Sequence, residues 1–488
     1  MKTLKQILEN TTSIALIGTL DVIISHLCFD SRQAKEGSLF FAIKGTQTDG
    51  HQFIDKAIEN GATAIICETI PQNIHKGTTY VQVKDATKVM GKLAAKFYGH
   101  PSTKLSLVGV TGTNGKTTTA TLLFKLFRNL KYNVGLISTI QYQINETIYT
   151  ATHTTPNVIR LNELLAQMVE EGCEYCFMEV SSHAMIQRRV EGIHFVGGIF
   201  TNITHDHLDY HGTFKAYIEA KKSFFDQLPK TAFALSNVDD KRGNVMLQNT
   251  KAKKTTYALK AMANFRVKIL ETNFTGLVLK LNEHEIHSLL IGEFNAYNLL
   301  AIYSTALLLG EDEMDVLTAL STLKTAEGRF DYIQINNRVG IVDYAHTPDA
   351  LLKVLTTTHA IRQKAQAIIC IAGCGGDRDT TKRPKMAKVA CDWSDKVILT
   401  SDNPRTEVPE AIIEAMEKGV PQSERYKVLS ITNRRQAIRA ACMLANKGDI
   451  ILLAGKGHEK YQEINKIKYP FDDKEALKKA LLEITGNS

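Results

Sequence analysis

No uninterrupted apolar run in the 488 residues approaches the roughly 18 residues that a helix needs to span a bilayer. The N-terminal stretch MKTLKQILENTT has a basic start, but acidic and polar residues interrupt any apolar signal-peptide core. Repeats and low-complexity segments are also absent. We therefore expect a cytoplasmic protein without membrane insertion, and we expect it to be a monomer.

The cysteines do not resemble the framework of a small disulfide-stabilised domain, because there are only eight of them in a long chain. Several lie in apolar runs such as AIIC, so buried reduced thiols are the better interpretation. Cys173 and Cys176 have the spacing of half a zinc site, but no second pair or histidine cluster at finger spacing accompanies them. We therefore expect no zinc centre.

The charge balance suggests an anionic partner, since the formal net charge is +8. Nucleic acid would require a clustered basic face with stacking aromatic residues, whereas a small polyanion such as a nucleotide would not. Lys and Arg are spread along the chain, and basic runs such as residues 382–385 are short. We therefore expect a small anionic substrate and no nucleic acid.

Apolar β-branched runs alternate with helical patterns over most of the chain. KLSLVGV precedes TTTATLLFKLFRNL and NVGLIST, and QAIICIAG precedes PKMAKVACDW and KVILTSDNP. This order, with short connections, predicts an α/β protein with mostly parallel sheets. Breaks near YGHPSTK and TAEGRFDYIQINN predict three domains, at residues 1–100, 101–330 and 331–488.

The segment VGVTGTNGKTTTA (108–120) departs from the phosphate-loop template in one place, because Val110 stands where the first glycine is expected. The other parts are present: a strand, a glycine turn, a lysine, and hydroxyls at the start of a helix. A glycine turn with an incidental lysine is the alternative. The order of strand, turn and helix favours a phosphate site formed by Gly112, Thr113, Asn114, Gly115, Lys116, Thr117 and Thr118.

Acidic and histidine residues follow two further strand-like runs. Glu179 comes directly after YCFM, at the carboxyl end of a predicted strand, where α/β sites form. TNITHDHLDYHG (201–212) concentrates His and Asp without zinc-type spacing, and hard oxygen ligands beside a phosphate loop favour magnesium. From these residues alone, Glu179 is equally a salt-bridge partner, and Lys221 is a solvated helix lysine.

TGTNGKTT resembles the shortened phosphate loop of the Mur ligase and folylpolyglutamate synthetase superfamily, whose members are ATP-dependent amide-forming enzymes. Val110 is the usual form in that superfamily, where the loop binds the β- and γ-phosphates. The segments around Glu179 and His207 resemble Mur ligase signatures. The resemblance implies Thr117 as a ligand of one magnesium ion, and Glu179, His207 and a carbamylated Lys221 as ligands of a second. It further implies catalytic roles for Lys116, Glu179, His207 and Lys221.

Further matches to the family imply contacts to the substrates. Residues 29–54 resemble the uridine-nucleotide-binding domain of the muramoyl tripeptide branch, which folylpolyglutamate synthetases lack, and the chain's end resembles a Rossmann-like α/β domain that binds the amino acid. The implied ATP contacts beyond the loop are Asn298, Arg329, Asp343 and His346. The implied contacts to the UDP-muramoyl dipeptide are Phe29, Ser31, Thr46, Gln47, Thr48, Thr154, Thr155, Ser181, Gln187 and Arg189.

The C-terminal segments GCGGDRD, DNPR and GKGHE bear on the choice of amino acid. Meso-diaminopimelate carries a carboxylate and an ammonium at its far end, whereas lysine carries only the ammonium there. A site that rejects lysine therefore needs a guanidinium and ammonium acceptors. Arg378 and Arg405 can supply the first, and Asp402 and Glu459 the second. DNPR alone is also a good β-turn, but the family resemblance implies a diaminopimelate signature that includes Asn403, Pro404 and Gly455.

The resemblance therefore implies a ligase that uses ATP and magnesium to join meso-diaminopimelate to the D-glutamyl γ-carboxylate of UDP-N-acetylmuramoyl-L-alanyl-D-glutamate through an acyl phosphate. The alternatives are a ligase for another amino acid, a folylpolyglutamate synthetase, and a non-catalytic ATP-binding regulator. A regulator needs no second metal, so the joint presence of Lys116, Glu179, His207 and Lys221 argues against it. Three domains that each hold one substrate also predict domain closure during turnover.

Overall fold

The computed structural model describes residues 2–45, 48–204, 206–335 and 337–485. Within them, three main sheets follow one another along the chain, and helices pack on the faces of each. Most strand pairs in these sheets are parallel, so the predicted α/β class is confirmed. No helix in the described ranges is long and apolar enough to cross a membrane.

The first sheet and its helices occupy residues 2–97. The elements are β1 (Lys2–Thr3), α1 (Leu4–Leu8), β2 (Ala15–Ile17), β3 (Ile23–Ile24), β4 (His26–Cys28), β5 (Ser38–Phe41), α2 (Ile54–Glu59), β6 (Ala62–Cys67), β7 (Thr79–Gln82) and α3 (Ala86–Phe97). The sheet has the order β2-β7-β6-β5-β4, and only β2 runs antiparallel to its neighbour. β5 is buried along its whole length, as expected for a parallel strand covered on both faces.

The central sheet and its helices occupy residues 106–321. The elements are β8 (Ser106–Thr111), α4 (Lys116–Asn129), β9 (Val134–Ile137), β10 (Gln141–Ile144), β11 (Thr147–Thr150), α5 (Val158–Glu170), β12 (Tyr175–Glu179), α6 (Ser182–Ile186), β13 (Gly197–Phe200), α7 (Leu208–His211), α8 (Phe214–Asp226), β14 (Phe233–Asn237), α9 (Gly243–Met246), β15 (Lys253–Ala258), β16 (Phe265–Asn273), β17 (Gly276–Leu281), β18 (His284–Ser288), α10 (Glu293–Leu308) and α11 (Glu313–Ser321).

The central strands have the order β11-β10-β9-β12-β8-β13-β14-β15-β16-β17-β18. The seven strands from β9 to β16 in this order are parallel, and an antiparallel hairpin extends each edge. β8 lies between β12 and β13, so the chain segments that follow these three strands meet at one edge of the sheet. α10 is apolar on nearly all sides because it packs between α4, α11 and the strands β14 to β16.

The third sheet and its helices occupy residues 331–485. The elements are β19 (Asp331–Ile335), β20 (Arg338–Asp343), α12 (Pro348–Ile361), β21 (Ile368–Ala372), α13 (Lys382–Trp393), β22 (Lys396–Leu399), α14 (Pro409–Glu417), β23 (Val428–Ser430), α15 (Arg434–Leu444), β24 (Ile450–Ala454), β25 (Tyr461–Ile464), β26 (Ile467–Pro470) and α16 (Asp473–Thr485). The order is β19-β20-β24-β21-β22-β23, and only β19 is antiparallel.

Two faces of the third sheet are covered by different helices. α12, α13 and α14 contribute to the core on one face, and α15 and α16 contribute to the core on the other. The β25-β26 hairpin stands outside the sheet and contacts the loop after β22. All eight cysteines are buried and free, which confirms their interpretation as reduced thiols.

Candidate active site

A cavity of about 1260 Å³ lies between the central and third sheets. Its walls come mainly from the carboxyl ends of the parallel strands, where open α/β sheets bind ligands. The cavity lining includes these predicted residues: Thr113, Asn114, Gly115, Lys116, Thr117, Thr118, Thr154, Thr155, Glu179, Ser181, Arg189, His207, Lys221, Asn298, Arg329, Asp343, His346, Arg378, Asp402, Asn403, Arg405, Gly455 and Glu459.

The phosphate loop connects β8 to the start of α4. Val110 is a buried residue of β8 and pairs with Glu179 and Ile199 on the neighbouring strands, so the glycine turn starts only at Gly112. A Cβ atom on Gly112 would lie 1.9 Å from the hydroxyl of Thr201, so the close approach of these two segments requires glycine. Gly115 has a φ of +87° and precedes α4, whose first residues, Lys116, Thr117 and Thr118, line the cavity.

Two lysines converge on this loop. The ammonium of Lys116 donates hydrogen bonds to the carbonyl oxygens of Gly112 and Thr113, each at 2.9 Å. Lys221, on α8, is buried rather than solvated, and its ammonium donates to the same Gly112 oxygen at 2.8 Å. Burial, reinforced by the nearby Lys116 charge, holds the pKa of Lys221 well below its ordinary value. Lys221 is therefore suited to carry a neutral, nucleophilic amine.

The Glu179 carboxylate lies at the end of β12 and is fully buried. Its Oε1 accepts a hydrogen bond from the Thr139 N–H at 2.7 Å, while Oε2 has no hydrogen-bonding partner. A buried carboxylate oxygen without a partner is costly unless a cation or a donor compensates it. This oxygen fits a magnesium ion, because Mg²⁺ prefers carboxylate and other hard oxygen ligands.

His207 lies near Lys221 and packs its ring edge-to-face against His183, with 4.9 Å between the ring centroids. Burial lowers the pKa of His207 to about 4, so its imidazole is neutral near pH 7 and has lone-pair density for a metal. Among the described residues, no group of three His, Cys, Asp or Glu side chains is arranged to hold a metal. Any ion here would also need oxygen ligands from hydroxyls, nucleotide, water or a modified lysine.

Four of the residues predicted to bind the UDP-muramoyl dipeptide form one hydrogen-bonded network beside Glu179: Thr155, Ser181, Gln187 and Arg189. The Thr155 hydroxyl donates to the Glu179 carbonyl at 2.7 Å and accepts from the Ser181 N–H at 3.1 Å. Arg189 donates to the Thr155 carbonyl at 2.6 Å and to the Gln187 side chain at 2.7 and 3.0 Å. The Arg189 guanidinium is thereby held in a partly buried position facing the cavity.

Residues from α10, from the segment before β19 and from the end of β20 complete the phosphate-loop side. Arg329 donates from Nη2 to the Thr117 hydroxyl at 3.2 Å, and its guanidinium stacks over the Tyr344 ring at 4.6 Å. Burial raises the pKa of Asp343 to about 6, and its Oδ2 accepts from the Phe330 N–H at 2.7 Å. Asn298 accepts from the Thr119 hydroxyl at 3.4 Å. Burial also lowers the pKa of His346.

The opposite end of the cavity is formed by the loops after β21, β22 and β24. Arg405 has a φ of +53° and donates from Nη1 to the Gly376 carbonyl at 2.6 Å. Asn403 donates to Glu459 Oε2 at 2.7 Å. A Cβ atom on Gly455 would lie 2.7 Å from Asp402 Oδ2, so only glycine permits this close packing. Arg378 is exposed at the same end.

Some predicted residues do not line the cavity. Gly112, at the start of the loop, packs against Thr201, Gln187 accepts hydrogen bonds from Arg189, and Pro404 lies between Asn403 and Arg405 in the chain. The predicted uridine-nucleotide contacts that the structure describes, Phe29, Ser31 and Thr48, lie on the first sheet's side of the molecule. Thr46 and Gln47 lie outside the described residues, as does His205.

Sequence reasoning missed three contributors to the cavity and its supports. Asp349, at the start of α12, accepts from the Asn114 amide at 3.0 Å and from the Thr204 hydroxyl at 3.1 Å. Lys456 lies fully buried among the residues of the amino-acid end. The β25-β26 hairpin clamps the DNPR turn. Asp349 lies in the segment DYAHTPDA and Lys456 in GKGHE, but the spacing of residues in these segments does not show which residues they contact.

The fold and the cavity together define a class of enzyme. A phosphate loop with two converging lysines adjoins a polar network suited to one carboxylic substrate. A separate set of guanidinium and carboxylate groups, suited to an amino acid, faces it. These are the parts of an ATP-dependent enzyme that forms an amide bond, in which a phosphate group activates a carboxylate before an amine attacks it.

Comparisons with known proteins agree with this class. Family models match residues 23–98 (Mur ligase family, catalytic domain), 110–306 (Mur ligase middle domain) and 328–457 (Mur ligase, glutamate ligase domain). Relatives named UDP-N-acetylmuramoyl-L-alanyl-D-glutamate--2,6-diaminopimelate ligase are similar over nearly the full chain. The one from Cytophaga hutchinsonii is 54% identical over 98% of this chain and 99% of its own. The one from Bacteroides fragilis is 53% identical over 97% and 98%.

A solved structure of a protein with the same name superposes with a TM-score of 0.72 at 32% identity, covering 99% of both chains. The chain belongs to the Mur ligase family. The resemblance inferred from the phosphate loop is thereby confirmed, and so is the expectation of an ATP-dependent, amide-forming ligase.

Proposed function

We propose that this ligase joins meso-diaminopimelate to the D-glutamyl γ-carboxylate of UDP-N-acetylmuramoyl-L-alanyl-D-glutamate, with conversion of ATP to ADP and phosphate. The observation that carries the proposal is the cavity itself, which places the phosphate loop, the Arg189 network and the Arg405–Glu459 end around one volume. Relatives that carry this activity in their names match the chain from end to end.

The proposed reaction has two steps. An oxygen of the γ-carboxylate attacks the γ-phosphorus of ATP, and the bond to the β-phosphate oxygen breaks to release ADP. The neutral amine of diaminopimelate then attacks the carbonyl carbon of the acyl phosphate, phosphate leaves, and the nitrogen loses a proton. Both reactants in the first step are anions, so Lys116 and the N-terminus of α4 must offset their repulsion.

Magnesium is the proposed cofactor. Thr117 would hold one ion beside the nucleotide phosphates, and Glu179, His207 and a carbamylated Lys221 would hold a second. When bound, these ions neutralise phosphate charge and polarise the transferred group. The unpartnered Glu179 Oε2, the neutral His207 imidazole and the depressed pKa of Lys221 support this assignment.

Carbamylation of Lys221 follows from ordinary amine chemistry. The neutral amine nitrogen attacks carbon dioxide and loses a proton, which leaves a carbamate anion in place of the neutral amine. The change would turn a buried neutral group beside Lys116 into an anionic partner for the Lys116 cation. The buried position of Lys221, 1% exposed and against the Tyr217 ring, supports a role beyond surface solvation.

The remaining substrate contacts follow the same division of labour. We assign further contacts to the ATP nucleotide or its ribose to Asn298, Arg329, Asp343 and His346, and the dipeptide to Thr154, Thr155, Ser181, Gln187 and Arg189. The first sheet would hold the uridine diphosphate through Phe29, Ser31 and the loop at Thr46, Gln47 and Thr48. The three separate sheets support domain limits at residues 1–100, 101–330 and 331–488.

Specificity for diaminopimelate would depend on recognition of both the carboxylate and the ammonium at the far end of the molecule. Arg405 and Arg378 would bind the carboxylate, while Asp402 and Glu459 would accept hydrogen bonds from the ammonium. Asn403, Pro404 and Gly455 would shape the pocket. Lysine lacks the carboxylate, so its binding would leave the partly buried Arg405 guanidinium with only its 3.6 Å ion pair to Glu463.

Domain closure is also part of the proposal, because the amine and the acyl phosphate come from opposite walls. The Asn114 side chain donates to Asp349 of α12 at 3.0 Å, so the phosphate loop and the third sheet's domain are already in contact. The experiment is small-angle scattering with an ATP analogue and both substrates, in which we expect compaction relative to the free chain. An unchanged radius of gyration would contradict closure.

The activity test measures ADP release with ATP, magnesium and the UDP-muramoyl dipeptide, comparing meso-diaminopimelate with L-lysine. We expect turnover with diaminopimelate and little with lysine. Preferential turnover with lysine would leave the ligase but reject the specificity. No turnover with either amino acid would reject the proposed function and leave the ligase with a different amino-acid substrate.

A further inference from the structure

Lys456, in the loop after β24, is the fully buried lysine of the amino-acid end of the cavity. Lysine is rarely buried completely unless its charge is paired, so its position requires an explanation. Neither the phosphoryl-transfer step nor the contacts assigned to substrate use it. Lys456 therefore invites a role in holding the residues that touch the substrate.

The ammonium of Lys456 contacts three of the groups assigned to the amino acid. It donates to Asn403 Oδ1 at 2.9 Å and to Glu459 Oε2 at 3.2 Å, and it lies 3.5 Å from Asp402 Oδ1. Asn403 also donates to the same Glu459 oxygen at 2.7 Å. One ammonium thus fixes an amide and two carboxylates in a single arrangement.

Without this cation, two buried carboxylates would face each other. Burial and the Asp402 charge raise the pKa of Glu459, and Lys456 opposes that rise. Burial also raises the pKa of Asp402, but the Lys456 and Arg434 cations more than offset this, so its pKa lies below the ordinary value. With Lys456 in place, the set carries one net negative charge available to a substrate ammonium.

We propose that Lys456 is a positioning residue for the amino-acid substrate, which holds Asn403 and Glu459 in place and keeps the Glu459 carboxylate ready to accept hydrogen bonds from the far ammonium group. The inference rests on the proposed function, since it assumes an amino acid with that group. Lys456 compensates the carboxylate charges within the pocket and does not touch the substrate.

Other charged and titratable groups face this set from each neighbouring element. Arg434, at the start of α15, is paired with Asp473 of α16 at 2.6 Å and also contributes to the lowered pKa of Asp402. Further titratable neighbours are Cys374 from the loop after β21, Tyr344 and His346 from the loop after β20, His458 beside Glu459, and Tyr461 of β25. Burial lowers the pKa of His346 and of His458, the latter to about 3, so neither supplies a cation near pH 7.

The test is steady-state kinetics of Lys456→Met, measured as KM for each of the three substrates between pH 6.5 and 9. We expect KM for diaminopimelate to rise at least about 30-fold near pH 7, because one partner of a buried charge set is removed. KM for ATP and for the UDP-muramoyl dipeptide should stay within about twofold. Lys460→Met is the matched control, since Lys460 is exposed and pairs with Glu327 at 2.9 Å.

The pH profile separates this role from a merely structural one. Loss of Lys456 raises the pKa of Glu459 further, so more of that carboxyl is protonated at low pH and cannot accept from an ammonium. As the pH rises through the higher pKa, the carboxylate returns, and the defect in KM should shrink toward pH 9. A defect of equal size at every pH would overturn the inference.

A double variant keeps the test valid if Lys456→Met folds poorly. Glu459→Gln removes the charge on which Lys456 acts, so adding Lys456→Met in that background should raise KM less than about threefold. Additive defects would overturn the inference. Wild-type turnover with unchanged KM in Lys456→Met would reject the inference alone, whereas a wild-type chain inactive with diaminopimelate would reject it together with the proposed function.

Discussion

The two ends of the cavity are built in different ways. At the phosphate end, contiguous residues after one strand provide glycine turns, N–H groups and Lys116, and backbone geometry sets their positions. At the amino-acid end, side chains from loops far apart in the sequence hold one another, through Asn403, Lys456, Glu459 and the β25-β26 hairpin. The first end depends on a local motif, and the second depends on a network.

This difference has a consequence for substitutions. A phosphate site made of backbone groups loses function when its one essential charge is removed, but its shape should persist. A site made of mutually supporting side chains loses shape and charge together when any member is changed. Substitutions at the two ends should therefore differ in which kinetic constant they alter, and four experiments follow from that contrast.

The largest effect is expected for Lys116→Ala. Removal of this ammonium takes away the positive charge that offsets the negative charge on the transferred phosphate, so kcat should fall about 1,000-fold. ADP release measures the loss, and an unchanged melting temperature would show that the loop keeps its shape. Lys215→Ala, on the exposed face of α8, is the control and should retain full activity. Retention of more than a tenth of wild-type kcat in Lys116→Ala would contradict the assignment.

Lys221→Ala should follow, with a fall of about 100-fold in kcat. If the lysine acts as a carbamate, a small carboxylic acid such as acetate can enter the space left by the side chain and restore part of the activity. The assay is ADP release with and without added acetate. Lys222→Ala, which loses only an ion pair with Asp226, is the neighbouring control. Absence of rescue at any carboxylate concentration would count against carbamylation.

At the network end, Arg405→Gln should alter specificity rather than chemistry. We expect kcat/KM for diaminopimelate to fall about 100-fold, because its far carboxylate loses a charged partner, while the slow reaction with lysine stays unchanged. The ratio of the two values is the measurement. Arg425→Gln, on an exposed 3₁₀ segment, serves as control. An equal loss with both amino acids would show that Arg405 only maintains the turn.

The smallest effect is expected where the two ends are joined. Asp349→Ala removes two hydrogen bonds that link α12 to the phosphate-loop side, from Asn114 and Thr204. Each such bond contributes about 1 kcal/mol, so the closed arrangement should weaken and kcat fall about 10-fold. Scattering with all substrates bound should show reduced compaction. Full activity together with normal compaction would mean that closure does not depend on this contact.

The same contrast explains how much the sequence could predict. The phosphate loop, the α/β class and the family were readable because their signals are contiguous, as in 108–120, where strand, turn and helix follow one another. The partners of Arg405 were not, since Gly376, in a loop, and Glu463, on β25, lie in segments that only the folded chain brings together. The antiparallel hairpins at both edges of the central sheet were also not predicted.

The burial of individual side chains could also not be predicted from local sequence patterns. The residues around Lys221 read as an ordinary amphipathic helix, yet its position opposite Gly112 places the ammonium in the interior. Lys456 was passed over for the same reason, although it stands within GKGHE. The roles of the individual site residues stay predictions until the substitutions are made.

The first sheet contributes none of its predicted contacts to the cavity wall, among the residues described. If uridine diphosphate binds there, it takes no part in bond making and serves as a handle. Binding of the handle makes delivery of the γ-carboxylate to the phosphate loop an intramolecular event, with an effective concentration in the millimolar range for a flexible link. A free alanyl-glutamate dipeptide, lacking the handle, would have to reach that concentration in solution to react as fast.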